Sequence, residues 1–390
     1  MIKDEYNVEE PKIIPSRLKM ARISRGFSLA DLENLIGVSK QFLSQCELGT
    51  VSPSGAVIRK ITEVLNYPLS FFLKPVSKKE SISATYFRSR KTTPKKLKDA
   101  AEEKVFIFDE IRRYFEEYVN YPHINLPIIP QELLKERYDF EDMERIATYV
   151  REYWNLGNGP IENLISLLQE NGVIISKIRI KNNKIDAFSK WLNSVPYIFL
   201  TVDKNCAVRS RFDISHELCH LLLHQYITQD DINDKKILDK IEKEADMFAG
   251  AFLLPAKSFS REVFSSSLDS MIMLKRRWKV SISCMIKRCS DLEILTENQI
   301  LYLKKQMTYN CYWQKEPLDD EIICEIPYLF KQIINLLLEN NLIKTSTLVN
   351  EIGLMSTEIE EFCYLEKGSL TQNDNIISIK DWKKAFENNI

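Results

Sequence analysis

Arg209-Ser-Arg-Phe-Asp-Ile-Ser-His-Glu-Leu-Cys-His-Leu-Leu-Leu-His224 contains the pattern His216-Glu217-x-x-His220. On a helix, residues four apart return to nearly the same face. Two imidazoles spaced this way reach one metal ion together. Glu217, next to His216, is placed to hold a water and take its proton. The residues from Leu218 to Leu223 are mostly apolar, as a helix buried in a core requires. The chain has four histidines, and three of them (His216, His220 and His224) fall within nine residues.

A zinc centre of this kind takes a third protein ligand and keeps a fourth position for water. The candidate stretch is Ile241-Glu-Lys-Glu-Ala-Asp-Met-Phe-Ala-Gly-Ala-Phe-Leu-Leu-Pro255, which reads as a second helix ended by Pro255. Met247, Phe248, Ala251, Phe252 and Leu254 form its buried face, and Glu244 lies on that face. A carboxylate there is costly unless paired or bound to metal. Glu244 is therefore read as the third ligand, with Glu242 and Asp246 as flanking alternatives that point elsewhere. His224 is read as an outer or packing residue at the helix end.

These two stretches, with Asp186-Ala-Phe-Ser-Lys-Trp191 and Arg209-x-Arg-Phe212, resemble the ImmA/IrrE family of metallopeptidases. The resemblance implies zinc on His216, His220 and Glu244, with Glu217 catalytic. It also implies a protein substrate, since known members cleave a helix-turn-helix repressor. Cys219 stands where the family commonly has Gly, and is read as a packed thiol rather than a redox element.

The N-terminal region reads as short helices. Gly26 closes the first, Ser28 caps a second over Leu29 to Ile36, and Gly37-Val-Ser39 is a tight turn before a third helix that ends at Gly49. This stretch resembles the XRE (lambda-repressor-like) helix-turn-helix family. That likeness implies DNA in contact with the third helix, through Lys40, Gln41, Ser44 and Gln45. Arg17, Arg22 and Arg25 are read as phosphate contacts or a solvated face. Leu29 and Glu33 depart from the family's usual Gln and small Ala.

A length of 390 residues calls for two or three domains. The boundaries expected are 11–75 for the helix-turn-helix head, 76–139 for a basic linker and a long helix, 140–317 for the peptidase-like domain, and 318–390 for a helical accessory region. The net charge of −1 hides an asymmetry. Residues 11–75 hold nine Lys/Arg against four Asp/Glu, and residues 78–98 hold eight against one. Only the front of the chain suits a polyanion. No run of about 18 apolar residues exists, so no membrane span is expected. The eight cysteines form no CxxC pair, and the N-terminus lacks a signal-peptide core. A cytoplasmic protein with reduced thiols is the expectation.

Leu97 to Tyr121 carries Val105, Phe108, Ile111, Phe115 and Tyr118 at helical steps, and suits packing on the next domain or on a second copy as a homodimer. Three strands are expected, at Val173–Ile180, Ala187–Leu192 and Tyr197–Thr201, the last two joined around Asn193-Ser194. In zincin-like folds an edge strand aligns an extended substrate, and Ala187–Trp191 is the expected edge. Arg209 and Arg211 are read as ion-paired, with oxyanion stabilisation as the alternative. Lys275-Arg-Arg-Trp-Lys-Val-Ser-Ile-Ser283 looks locally like another helix-turn-helix but suits packing. Gln372 to Asn375 reads as a loop, and no internal repeat is evident. The expected fold is mainly α with a small sheet (α+β): an all-α head, a zincin-like domain and a helical tail. Two functions follow. One is a zinc endopeptidase fused to a DNA-binding domain, regulating transcription by cutting a regulatory protein. The other is a DNA-binding regulator whose metal domain senses or binds a partner without proteolysis.

Overall fold

The computed structural model describes residues 12–76, 86–89, 94–179, 185–201 and 206–371. The loop expected at Gln372–Asn375 and much of the basic linker lie outside them. In chain order come α1 (Pro15–Ser24), α2 (Leu29–Ile36), α3 (Lys40–Leu48), α4 (Gly55–Leu65), α5 (Leu69–Leu73), β1 (Tyr86–Ser89) and α6 (Lys95–Glu116). Next are α7 (Phe140–Tyr153), α8 (Leu164–Glu170), β2 (Ile174–Ile178), β3 (Ile185–Leu192), β4 (Val195–Thr201), α9 (Ala207–Leu223), α10 (Gln229–Asn233) and α11 (Lys235–Leu253). The chain continues through α12 (Ala256–Glu262), α13 (Leu268–Trp278), α14 (Ile282–Asp291) and α15 (Glu297–Tyr309) to α16 (Leu329–Glu339), α17 (Thr345–Ile352) and α18 (Ser356–Phe362). The architecture is mainly helical with one small sheet.

Two compact units result. The described parts of 1–78, 94–120 and 328–390 make one, and β1 with 121–327 makes the other. The long helix and the tail thus fold with the head, while part of the linker segment joins the peptidase-like unit.

Caps written into the sequence set the head. The Ser28 hydroxyl accepts from Asp31 N–H and the Asp31 carboxylate accepts from Ser28 N–H, a reciprocal box that starts α2. Gly37 ends α2 at φ 70°, and the Ser39 hydroxyl accepts from Phe42 N–H to start α3. Leu18, Leu32, Leu43, Ile61 and Leu65 fill the core between these helices. The aromatic stripe of α6 is covered from within the chain, Phe108 packing on Phe330 and Phe362.

The tail repeats the head. α17 has eight residues, as α2 does, and ends on Gly353 at φ 73°, ψ 32°, against Gly37 at φ 70°, ψ 32°. Each glycine opens a three-residue turn into the next helix. Buried Leu32, Ile36, Leu43 and Cys46 match buried Leu348, Ile352, Ile359 and Phe362 at one constant offset. The sequence hides this repeat because only the burial pattern and the turn glycine survive in it.

In the second unit the sheet order is β1-β3-β4-β2. β3 and β4 form a hairpin through Asn193 and Ser194, both at positive φ as a two-residue turn of this kind requires. β2 lies parallel to β4. β1 pairs antiparallel with β3, so β3 is interior to the sheet rather than its edge. Sequence reasoning placed the edge at Ala187–Trp191 because β1 comes from a distant stretch with no strand-like alternation. Helices α9, α11 and α7 pack in turn beside the sheet, sharing a core that includes Val150, Leu218, Phe248 and Phe252. Two buried arginines fasten the end of α11. Arg151 donates to Phe252 O at 2.6 Å and Arg288 to Leu254 O at 3.0 Å, satisfying carbonyls that the helix leaves open.

Candidate metal centre

α9 brings His216, Glu217 and His220 into the protein interior, all essentially inaccessible to solvent. The two Nε2 atoms face each other at 3.1 Å. Glu242, on α11, sets Oε2 3.4 Å from His216 Nε2 and Oε1 3.5 Å from His220 Nε2. Tetrahedral zinc with donors at about 2.0–2.1 Å holds neighbouring donor atoms about 3.3–3.4 Å apart. The separations are close to that spacing, with Glu242 turning a different oxygen to each imidazole, and these residues form the group able to hold a metal among the described residues.

Glu244, the third ligand expected from sequence, is not part of that group. It is buried, as expected, but its Oε2 stands 3.2 Å from His224 Nε2 and its Oε1 accepts from Tyr138 N–H at 3.1 Å. The burial of its charge is offset by these partners rather than by a metal. Glu242 and Glu244 lie two residues apart on α11, about 200° around the helix. Only one of them faces the two imidazoles.

The surrounding hydrogen bonds fix the imidazole tautomers. Asp246 Oδ1 lies 2.9 Å from His216 Nδ1, so Nδ1 carries the proton and Nε2 keeps its lone pair. His220 Nδ1 lies 2.8 Å from His224 Nδ1. With His220 Nε2 turned to the donor group, its Nδ1–H donates to His224, and His224 Nε2–H donates to Glu244. Burial holds the His220 imidazole neutral, lowering its pKa to about 3, which is the form a ligand needs.

Glu217 is held by a residue that sequence reasoning did not single out. The Ser189 hydroxyl, on β3, donates to Glu217 Oε2 at 2.6 Å. Ser189 lies within Asp186-Ala-Phe-Ser-Lys-Trp191, a stretch already singled out in the sequence, and is fully buried on β3. Trp191 Nε1 also donates to Leu221 O, tying β3 to α9 a second time. Cys219 points into the apolar core, and burial raises its pKa well above that of a free thiol, so the thiol is inert. Arg211 pairs with Glu325 and donates to Ile161 O, and Arg209 donates to Trp313 O and Gln314 O. A cavity of about 860 Å³ borders Asp246, with Phe212, Met247 and Trp313 among its walls.

In the head, α3 leaves Lys40, Gln41 and Gln45 exposed and Ser44 half-buried. Glu33 accepts from Lys40 N–H at 3.1 Å, so a carboxylate occupies the start of this helix. The three arginines read as phosphate contacts are committed internally. Arg17 is buried and donates to Lys74 O, Pro75 O and Glu110. Arg22 clasps Glu47, and Arg25 clasps Glu358 while stacking on Tyr67. The amphipathic period placed them outward, but long side chains reach back to bury their heads. In the tail repeat, the positions equivalent to Lys40, Gln41, Ser44 and Gln45 are Ser356, Thr357, Glu360 and Glu361. Glu360 is buried and accepts from Gly368 and Leu370 N–H, so the repeat offers no comparable reading surface.

Comparison with known proteins agrees with both halves. Residues 168–290 match the family model of the IrrE N-terminal-like domain, a peptidase family, and residues 18–72 match the helix-turn-helix family. The chain therefore carries an XRE-type helix-turn-helix domain and an ImmA/IrrE-like domain. A stretch of 64 residues, 16% of this chain, is 41% identical to the HTH-type transcriptional regulator SutR of Escherichia coli (strain K12). It covers 36% of that protein, about a third of its length. Among the described residues no helix is long and apolar enough to cross a membrane.

Proposed function

We propose that this chain is a zinc-dependent endopeptidase joined to a DNA-binding head, regulating transcription by cutting a repressor or other regulatory protein. The observation that carries this reading is the convergence of His216, His220 and Glu242 on one point with Glu217 buried beside them. Zinc held there supplies Lewis acidity, lowering the pKa of a water to about 7 and polarising the scissile carbonyl. Glu217, oriented by Ser189, accepts the proton of the attacking water and passes it to the leaving amine. Asp246 and the His224–Glu244 pair keep both imidazoles turned to the metal. The test is a comparison of new protein N-termini in cells carrying the wild type or Glu217→Gln. A cleavage confined to wild type is expected. The purified variant is expected to keep its zinc while hydrolysis falls about 10²–10⁴-fold. Identical N-termini in both strains would turn the reading towards a metal domain that senses without cutting.

For the head we propose DNA contact through Lys40, Gln41, Ser44 and Gln45 on α3. Gln45→Ala is expected to cost about 1–3 kcal/mol at the preferred sequence, the range for one lost base-edge pair, and to relax discrimination at one position. Lys40→Ala is expected to weaken binding and flatten its salt dependence where Lys40 meets a phosphate. Mobility-shift titrations at several fixed salt concentrations read both effects.

A further inference from the structure

We propose that the outer edge of β3 is the peptide-binding edge of the metal centre, and that the chain's own segment Tyr86–Ser89 occupies it until a substrate strand displaces it. The proposal deepens the peptidase reading and rests on it.

β3 is the strand tied to the catalytic helix. Ser189 holds Glu217, and Trp191 donates to Leu221 O on α9. A peptide laid along β3 therefore runs beside the carboxylate that moves the proton. One side of β3 is taken by β4. On its other side stands β1, with Tyr86 opposite Ser189, Phe87 opposite Phe188 and Arg88 opposite Ala187, and β1 also lies against α9. An extended segment adding antiparallel to an open edge is a general mode of peptide recognition, with main-chain bonds supplying affinity.

The occupant comes from a stretch of chain remote in sequence from the strand it covers. The family match spans 168–290, which includes β3, β4 and α9 but not β1. On both sides of it the chain runs into the other compact unit, at residues 12–76 and 94–120. The pairing is also short. It spans four residues, and its register shifts between Arg88 and Ser89, where Ser89 falls opposite Ile185. A short, irregular strand leaves with little loss, whereas a core strand does not. Tethering compensates while it stays, because a linked segment acts at an effective concentration in the millimolar range. The fitting partner is an extended segment of a protein substrate, and the linker competes with it directly.

The test uses the full chain, zinc-loaded, with Glu217→Gln to prevent turnover. The probe is a fluorescent synthetic peptide of residues 84–91, Ala-Thr-Tyr-Phe-Arg-Ser-Arg-Lys. In a version that also carries Tyr86→Gly, Phe87→Gly and Arg88→Gly, the peptide is expected to bind at least tenfold tighter than to the chain with its native linker. Hydrogen exchange of the Ile185–Leu192 amides is expected to rise in that version and to fall again when peptide is added, which also shows that the unit is folded. Phe87→Pro alone, which removes one main-chain donor, is expected to shift both readouts in the same direction. Equal peptide binding by the two chains, or unchanged exchange along β3, overturns the proposal. The exchange measurement does not depend on hydrolysis. A chain with Glu217 intact that binds the peptide and yet cleaves no protein in cells overturns the peptidase reading instead.

Discussion

Glu242→Ala is expected to lower zinc affinity by well over 100-fold, and Glu244→Ala by about 10–100-fold, the usual effect of losing an outer hydrogen-bond partner of a ligand. The two residues are chemically identical and two positions apart, so the contrast tests geometry alone. Glu242 faces both Nε2 atoms at 3.4 and 3.5 Å. Glu244 reaches the site only through His224, which in turn holds His220 Nδ1. Removing Glu244 frees the His220 ring to turn or change tautomer, but the donor set stays complete. Competition with a chelator of known affinity, on variants with matching circular dichroism, gives both numbers. His224→Gln provides a second reading of the same chain of bonds and is expected to resemble Glu244→Ala. If Glu244→Ala loses more zinc than Glu242→Ala, then Glu244 is the ligand and the arrangement of α11 is misread.

The sequence makes some of this legible and hides the rest for identifiable reasons. His216 and His220 are one helical turn apart and Glu217 adjoins the first, so local geometry alone brings them together. The head is legible because its capping residues Ser28, Gly37, Ser39 and Gly49 act within a few residues. The third ligand depends on how α11 is rotated against α9, and only tertiary packing decides that. Burial points to Glu244, but that carboxylate is engaged by His224 and Tyr138 N–H, while Glu242, which faces the two imidazoles, stays partly exposed. β1 was hidden because its partner lies about a hundred residues further on. The tail repeat was hidden because Ile359 and Phe362 keep the burial of Leu43 and Cys46 and not their identity or size.

Lys275→Met is expected to destabilise the metal-bearing unit by about 3–5 kcal/mol, the range for breaking a buried ion pair from one side. Lys275 lies in a stretch expected from sequence to pack, and its side chain is fully buried. Its Nζ donates to Glu316 Oε2 at 2.8 Å and to Asp319 Oδ1 at 2.5 Å. Glu316 in turn accepts from Ile282 and Ser283 N–H at 2.7 and 3.0 Å, capping the first turn of α14. Methionine keeps most of the volume but strands two carboxylates with too few donors. A unit of about 200 residues loses on the order of 10 °C in Tm for this change. The triple variant Lys275→Met, Glu316→Gln, Asp319→Asn removes the stranded charge and is expected to recover part of the loss, as calorimetry will show. The effect also bears on the site. Ser281, Ser283, Lys287 and Arg288 of this segment wall the cavity that reaches Asp246, the residue holding His216. Loosening the start of α14 is therefore expected to weaken substrate binding more than zinc binding, whose donors all sit on α9 and α11. A Lys275→Met protein with unchanged Tm would mean that the two acids are hydrated, and that the wall of the cavity stands without them.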